Sequence, residues 1–241
     1  MSKRKLPQIQ KSNFYEIVNQ AIKEGRHVDQ LKEMLEDYKK YQQVFLDAFI
    51  DNNPLNAVYI FRAKYISDKT VWRDIAILGK QTFCDLAETI IYWMEWEDDH
   101  MHGFSIKKAL GKNQNPYSQF SMYSPGWEDD PYPTYKTDVV KIADIDYKKN
   151  PQLYFVFDFG DGHEFNIELK KIDENMKIKD FEEPLPTCID QRGVAPIQYP
   201  NYEDDEGDIP CKLDDNCPLC QELKKNDSDL IRNQEDLKKI N

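Results

Sequence analysis

The sequence predicts an α+β fold: an antiparallel sheet packed against helices, preceded by an N-terminal helical hairpin and followed by a small cysteine-containing tail. Three observations carry this prediction. Leu153, Phe155, Phe157 and Phe159 share one parity, and Phe165, Ile167 and Leu169 repeat the pattern, which is the period of strands buried on one face. Between the two runs, Gly160-Asp161-Gly162 supplies the positive-φ positions a tight reversal needs, so 153–169 reads as a β-hairpin with an acidic turn. Upstream, Phe83, Leu86, Ala87, Ile90, Ile91 and Met94 recur at helical spacing behind Thr82 and Asp85. That is an N-cap with an acidic first turn, and it predicts a helix over 83–96.

The remaining elements follow in chain order. Residues 12–51 read as helical. Phe14, Ile17, Val18, Ala21 and Ile22 form one stripe that stops at Gly25. Val28, Leu31, Leu35, Tyr38, Gln42, Phe45 and Phe49 then form a heptad-like seam of about three repeats. The seam suits either an antiparallel hairpin packed on the main domain or a short coiled coil, so 12–51 is the segment for self-association. Asp51-Asn52-Asn53-Pro54 breaks the pattern. Strands are expected at 57–66 and 71–78, joined by Ser67-Asp68-Lys69-Thr70, and at 101–108. Residues 111–135, rich in Asn, Ser, Pro, Gly and Tyr, have no period and read as a long surface loop. Pro184, Pro186, Pro196 and Pro200 impose an extended, irregular path, and Glu203 to Asp208 form an acidic linker. Three parts result: a helical extension at 1–55, an α+β domain at 56–200, and a linker with a Cys-x-x-Cys tail at 201–241.

Composition narrows the function classes. With 40% hydrophobic and 12% aromatic residues the chain can fill a core. Asp and Glu number 44 against 32 Lys and Arg, for a net charge of −12. This balance disfavours direct nucleic-acid binding and favours a protein partner. Lys3-Arg4-Lys5 is short and lies at a terminus expected to fray. No apolar run approaches the ~20 residues of a membrane helix, and no secretory signal is visible. The expected location is cytoplasmic, where the five cysteines serve as thiols or metal ligands rather than disulfides.

Two dense motifs carry candidate chemistry. In an extended strand His100, His102, Phe104 and Ile106 point the same way, setting two imidazoles side by side, with Asp158, Asp161 or His163 to complete a metal site or proton shuttle. The plainer reading has these histidines bonding strand ends and loop backbone. Parity favours the plainer one: Asp158 lies opposite Phe157, and His163 shares the apolar side of Phe165. Arg73 with Trp72, Trp93 and Trp96 forms either a recognition surface or a set of core anchors, and Arg73 beside Asp74 is expected to pair with a turn carboxylate. In the tail, Cys217-Pro218-Leu219-Cys220 has metal-ligand spacing and Cys211 lies six residues earlier. Cys211, Cys217, Cys220 and Cys188 are therefore candidate ligands of a structural zinc; a redox pair and plain thiols are the other readings. Cys84 reads as a small buried residue. No Ser-His-Asp order, phosphate loop or dinucleotide fingerprint occurs, so no catalytic residue is assigned.

Taken together, Val71-Trp72-Arg73, the helix ending in Trp96, His100-Met101-His102-Gly103-Phe104, Asp158-Phe159-Gly160-Asp161-Gly162 and Pro186-Thr187-Cys188 resemble the plasmid pRiA4b ORF-3-like family over roughly 57–200. The resemblance implies a compact α+β domain and an association with plasmids, insertion elements and prokaryotic chromosomes. It implies no activity, cofactor or catalytic residue. Where the family has Trp after the Gly-Asp-Gly turn and His soon after, this chain has His163 and then Phe165. The family's Pro-Pro-Glu and Gly-Gly elements give way here to Pro196-Ile197-Gln198 and an acidic run. The expected function is a non-enzymatic interaction module whose surface is the 111–135 loop, the His100/His102 strand end and the Asp161 turn. The alternative is a metal-dependent, hydrolytic enzyme using His100, His102, Asp158 and Asp161.

Overall fold

The computed structural model describes residues 4–9, 13–106, 121–124 and 134–200. Among the described residues three α-helices, α1 (Phe14–Lys23), α2 (Val28–Ala48) and α3 (Phe83–Trp93), accompany seven strands. The strands are β1 (Val58–Tyr65), β2 (Trp72–Leu78), β3 (His102–Ile106), β4 (Ser121–Tyr123), β5 (Gln152–Phe157), β6 (His163–Asp173) and β7 (Thr187–Arg192). They form one sheet in the order β4-β3-β5-β6-β1-β2-β7, and every pairing is antiparallel. The expected hairpin is its centre: Phe155 lies opposite Phe165, and Phe157 opposite His163.

One face of the sheet makes the main core. Tyr59, Phe61 and Ala63 of β1, Ile75 and Ile77 of β2, Phe104 of β3, Phe155 and Phe157 of β5, and Phe165 and Ile167 of β6 meet Leu86, Ile90 and Ile91 of α3. Each fully buried aromatic or branched side chain contributes roughly 2 kcal/mol of transfer free energy. The opposite face holds a small cluster of Val58, Ala76 and Leu78. Beside it Arg62 grips Asp74 through two 2.7 Å bonds and lies 3.8 Å above the Trp72 ring.

Helix α3 starts as its sequence requires: Thr82 Oγ1 accepts from the Asp85 N–H at 3.2 Å, and the Asp85 carboxylate accepts from the Thr82 N–H at 2.6 Å. It ends at Trp93, before the expected Trp96. Glu95 takes φ 58°, the Glu95 N–H donates to Tyr92 O and the Trp96 N–H to Ile91 O. This left-handed C-terminal closure turns the chain out of the helix although no glycine marks the spot.

The N-terminal segment is an antiparallel helical hairpin, with Phe14 against Tyr38 at 4.8 Å and Tyr15 Oη donating to Gln42 at 2.9 Å. The positive φ of 74° at Gly25 allows the reversal. Tyr38, Tyr41, Phe45 and Ala48 of α2 are buried in the same core as the sheet, and the Tyr135 N–H donates to Tyr41 Oη at 2.8 Å. Arg4 is held rather than frayed: it bonds the carbonyls of Ile50, Asn53 and Ala143 and pairs with Asp144 at 3.0 Å.

Two strands fall where the sequence predicts irregular chain. Ser121–Tyr123 lies inside the expected 111–135 loop yet pairs with β3 and buries Met122. Thr187–Arg192 lies in the proline-rich stretch yet pairs with β2. Both are edge strands too short or too polar to show a period of two; their partner strand dictates them. The rest of the described chain follows the expected elements within a few residues.

Candidate functional site

The hairpin turn at 158–162 and the segment leaving α3 meet at one end of the sheet. Asp158, not Gly160, takes the left-handed conformation, with φ 52°, and Gly162 follows at 69°. Its carboxylate makes the turn: Asp158 Oδ1 accepts from the Gly160 N–H at 2.8 Å and from the Asp161 N–H at 3.3 Å, and its carbonyl accepts from the Gly162 N–H at 2.7 Å. Aspartate tolerates this conformation because its short side chain satisfies local donors. Phe159 consequently leaves the apolar row of β5 and packs on Tyr123 at 6.0 Å. Asp161 is exposed at the tip.

The two histidines expected side by side serve different surroundings, because residues 97–101 are not strand. His102 is the first residue of β3 and is 4% exposed; its Nε2 lies 3.0 Å from Thr137 Oγ1, among Phe104 and Phe155. Burial pushes its pKa down to about 4, so it is neutral. His100 stands outside, with Nδ1 3.0 Å from Asp99 and Nε2 3.7 Å from Asp158. The hydrogen bond its ring N–H donates to Asp99 raises its pKa, and Asp158 and Asp161 add to the effect.

His163 sits on the core side of the turn, as its parity requires. Its ring lies 4.3 Å from that of Trp96, and its Nδ1 is 3.5 Å from Tyr65 Oη. Burial lowers its pKa, opposed by Asp158 and Asp161. Trp96 donates its indole N–H to Pro196 O at 2.8 Å. Next to it Gln198 clamps Glu97: the Glu97 N–H donates to Oε1 at 2.7 Å and Nε2 donates to Glu97 O at 2.8 Å. Asp99 and Gln198 are the members of this site that sequence reasoning passes over. Only the third dimension brings 198 beside 97.

Arg73 does not pair with a turn carboxylate; Arg62 takes Asp74 instead. Arg73 is buried, with Nε donating to Trp93 O at 2.7 Å and Nη1 to Trp72 O and Arg192 O at 3.0 and 3.1 Å. It joins the carbonyl end of α3 to strands β2 and β7 and is a structural cation. Cys188 is half-buried in β7 and donates to Asp190 O at 3.1 Å, and burial raises its pKa. Cys211, Cys217 and Cys220 lie outside the described residues. Cys84 is half-buried rather than buried, and burial pushes its thiol up to about 12.

Among the described residues no three His, Cys, Asp or Glu side chains are grouped as metal ligands, and no helix is long and apolar enough to cross a membrane. The turn end therefore brings together His100, Asp99 and Asp161 outside, the buried Asp158 carboxylate behind them, and Trp96 with His163 beneath. Outside it offers charge and hydrogen bonds; beneath it is committed to packing.

A protein of unknown function, MM3350 from Methanosarcina mazei Go1, has a crystal structure that is similar at 25% identity over 59% of this chain and 73% of that one, with a TM-score of 0.45. No curated protein matches the chain. The family model described as plasmid pRiA4b ORF-3-like protein matches residues 64–200, which include β2, α3, the histidine segment, the central hairpin and β7. The match spans more than half of the sequence, and on it the chain belongs to the plasmid pRiA4b ORF-3-like family.

Proposed function

We propose that this chain is a non-enzymatic interaction module that meets a basic protein surface through the turn end, in keeping with an association with mobile elements. One observation carries the reading. His102 is spent inside the core on Thr137 at 3.0 Å, while His100 stands outside between Asp99 and Asp158. The two imidazoles thus do not converge on a common external atom, as a hydrolytic metal site would need. What faces solvent is a hydrogen-bonding acidic surface at the turn end, suited to steering a cationic partner.

A site-resolved NMR titration with an oligolysine peptide tests this. The largest shifts are expected at Asp99, His100, Asp161 and Gly162, weakening with salt, and lost in Asp99→Asn with Asp161→Asn. Shifts spread evenly over the acidic surface, or none at this end, refute the reading. A zinc held by the Cys-x-x-Cys tail is a separate proposal: elemental analysis is expected to find about one equivalent, lost on Cys217→Ser with Cys220→Ser. Metal-free wild-type protein removes it.

A further inference from the structure

The inward stripe of α3 fills the core, and its outward stripe faces an open groove. Asp85, Glu88 and Tyr92 recur along that outer side at helical spacing, and the segment carrying Glu183 and Pro186 forms the opposite wall. The groove has a volume of about 410 Å³, within the range of ligand pockets. Tyr92 is held 73% exposed. Its ring lies 5.9 Å from that of Trp93 with the planes at 85°, so two aromatic faces meet as the walls of a corner. Asp85 is committed to the helix cap. Glu88 and Glu183 are exposed on the two sides, and no described residue lining the groove is basic.

From this geometry we infer that the groove on the outer face of α3 is a docking site for an arginine- or lysine-bearing peptide segment. The cationic head enters the Tyr92–Trp93 corner, where the ring faces attract it, and Glu88 and Glu183 supply the complementary charge. Pro186 and the ring edges give the aliphatic stem an apolar wall. None of these residues belongs to the turn end described above, so the two sites stand or fall independently.

The test uses the full chain and the peptide acetyl-Gly-Arg-Arg-Gly-amide, followed by NMR. Saturable shifts are expected at Glu88, Thr89, Tyr92 and the Trp93 indole. Glu88→Gln with Glu183→Gln is expected to weaken binding roughly tenfold, and Tyr92→Ala roughly threefold. Asp99→Asn with Asp161→Asn leaves groove binding unchanged. The substituted side chains are exposed, so an unchanged unfolding midpoint verifies the fold of each variant. Shifts confined to the turn end, or equal affinity in wild-type and groove variants, overturn the inference; the first outcome leaves the turn-end reading intact.

Discussion

At the scale of single residues, the histidines show how position sets chemistry. His102 in the unfolded chain protonates near 6.5, but in the fold only near 4. A depressed histidine stabilises fully above 6.5; that contribution declines as pH falls from 6.5 to 4 and is absent below. The span corresponds to roughly 3 kcal/mol. His163 is shifted in the same direction. His100 has the opposite sign: its stabilisation is present below 6.5 and is lost as pH rises through its folded value, and its exposure keeps the effect small. Urea unfolding between pH 7 and 4 is expected to show the acid-side loss in wild type and a flatter profile in His102→Gln. Parallel profiles contradict the assignment. Asp158 gives a second residue-scale prediction. Asn keeps the Oδ1 acceptor and tolerates φ 52°, so Asp158→Asn stays near wild type while Asp158→Ala loses roughly 1–2 kcal/mol. Equal losses in denaturant unfolding refute the side-chain account of the turn. The sequence showed that this turn exists, from its Gly-Asp-Gly. It did not show that the preceding aspartate, rather than Gly160, bears the left-handed residue, because the deciding bonds are to the turn's own N–H groups.

At the scale of elements, Arg73 links α3 to two strands through the carbonyls of Trp93, Trp72 and Arg192. Removing it leaves those acceptors buried, so Arg73→Met is expected to cost roughly 3 kcal/mol, measured by chemical denaturation. A loss below about 1 kcal/mol indicates that water replaces the guanidinium. The helix start was legible, since a capping box is a local pattern four residues long. Its end was not: the closure at Glu95 breaks the helical stripe before Trp96, and a glycine-free left-handed residue leaves no compositional mark. Edge strands β4 and β7 were hidden for a related reason. Their pairing is induced by β3 and β2, and apolar alternation appears only where a strand chooses its own buried face.

At the scale of the whole molecule, Arg4 spans the greatest sequence distance of the described bonds, to Ala143 and Asp144. Burial raises the Asp144 pKa against the opposing pull of Arg4, so the carboxylate depends on that guanidinium. Arg4→Ala is expected to destabilise the chain by roughly 3 kcal/mol, and Arg4→Ala in an Asp144→Asn background by markedly less. Additive losses in this double-mutant cycle count against the pair.

The sequence by itself determined the class of fold, the central hairpin, the amphipathic helix, the N-terminal helical pair and the family, because periodicity, caps and turn residues are local consequences of backbone geometry. Tertiary structure alone decided which histidine is core and which is surface, which arginine binds a carboxylate, and that a proline-rich stretch supplies an edge strand. Those outcomes depend on what lies opposite in space, and the partners, from Thr137 for His102 to Gln198 for Glu97, come from distant parts of the chain.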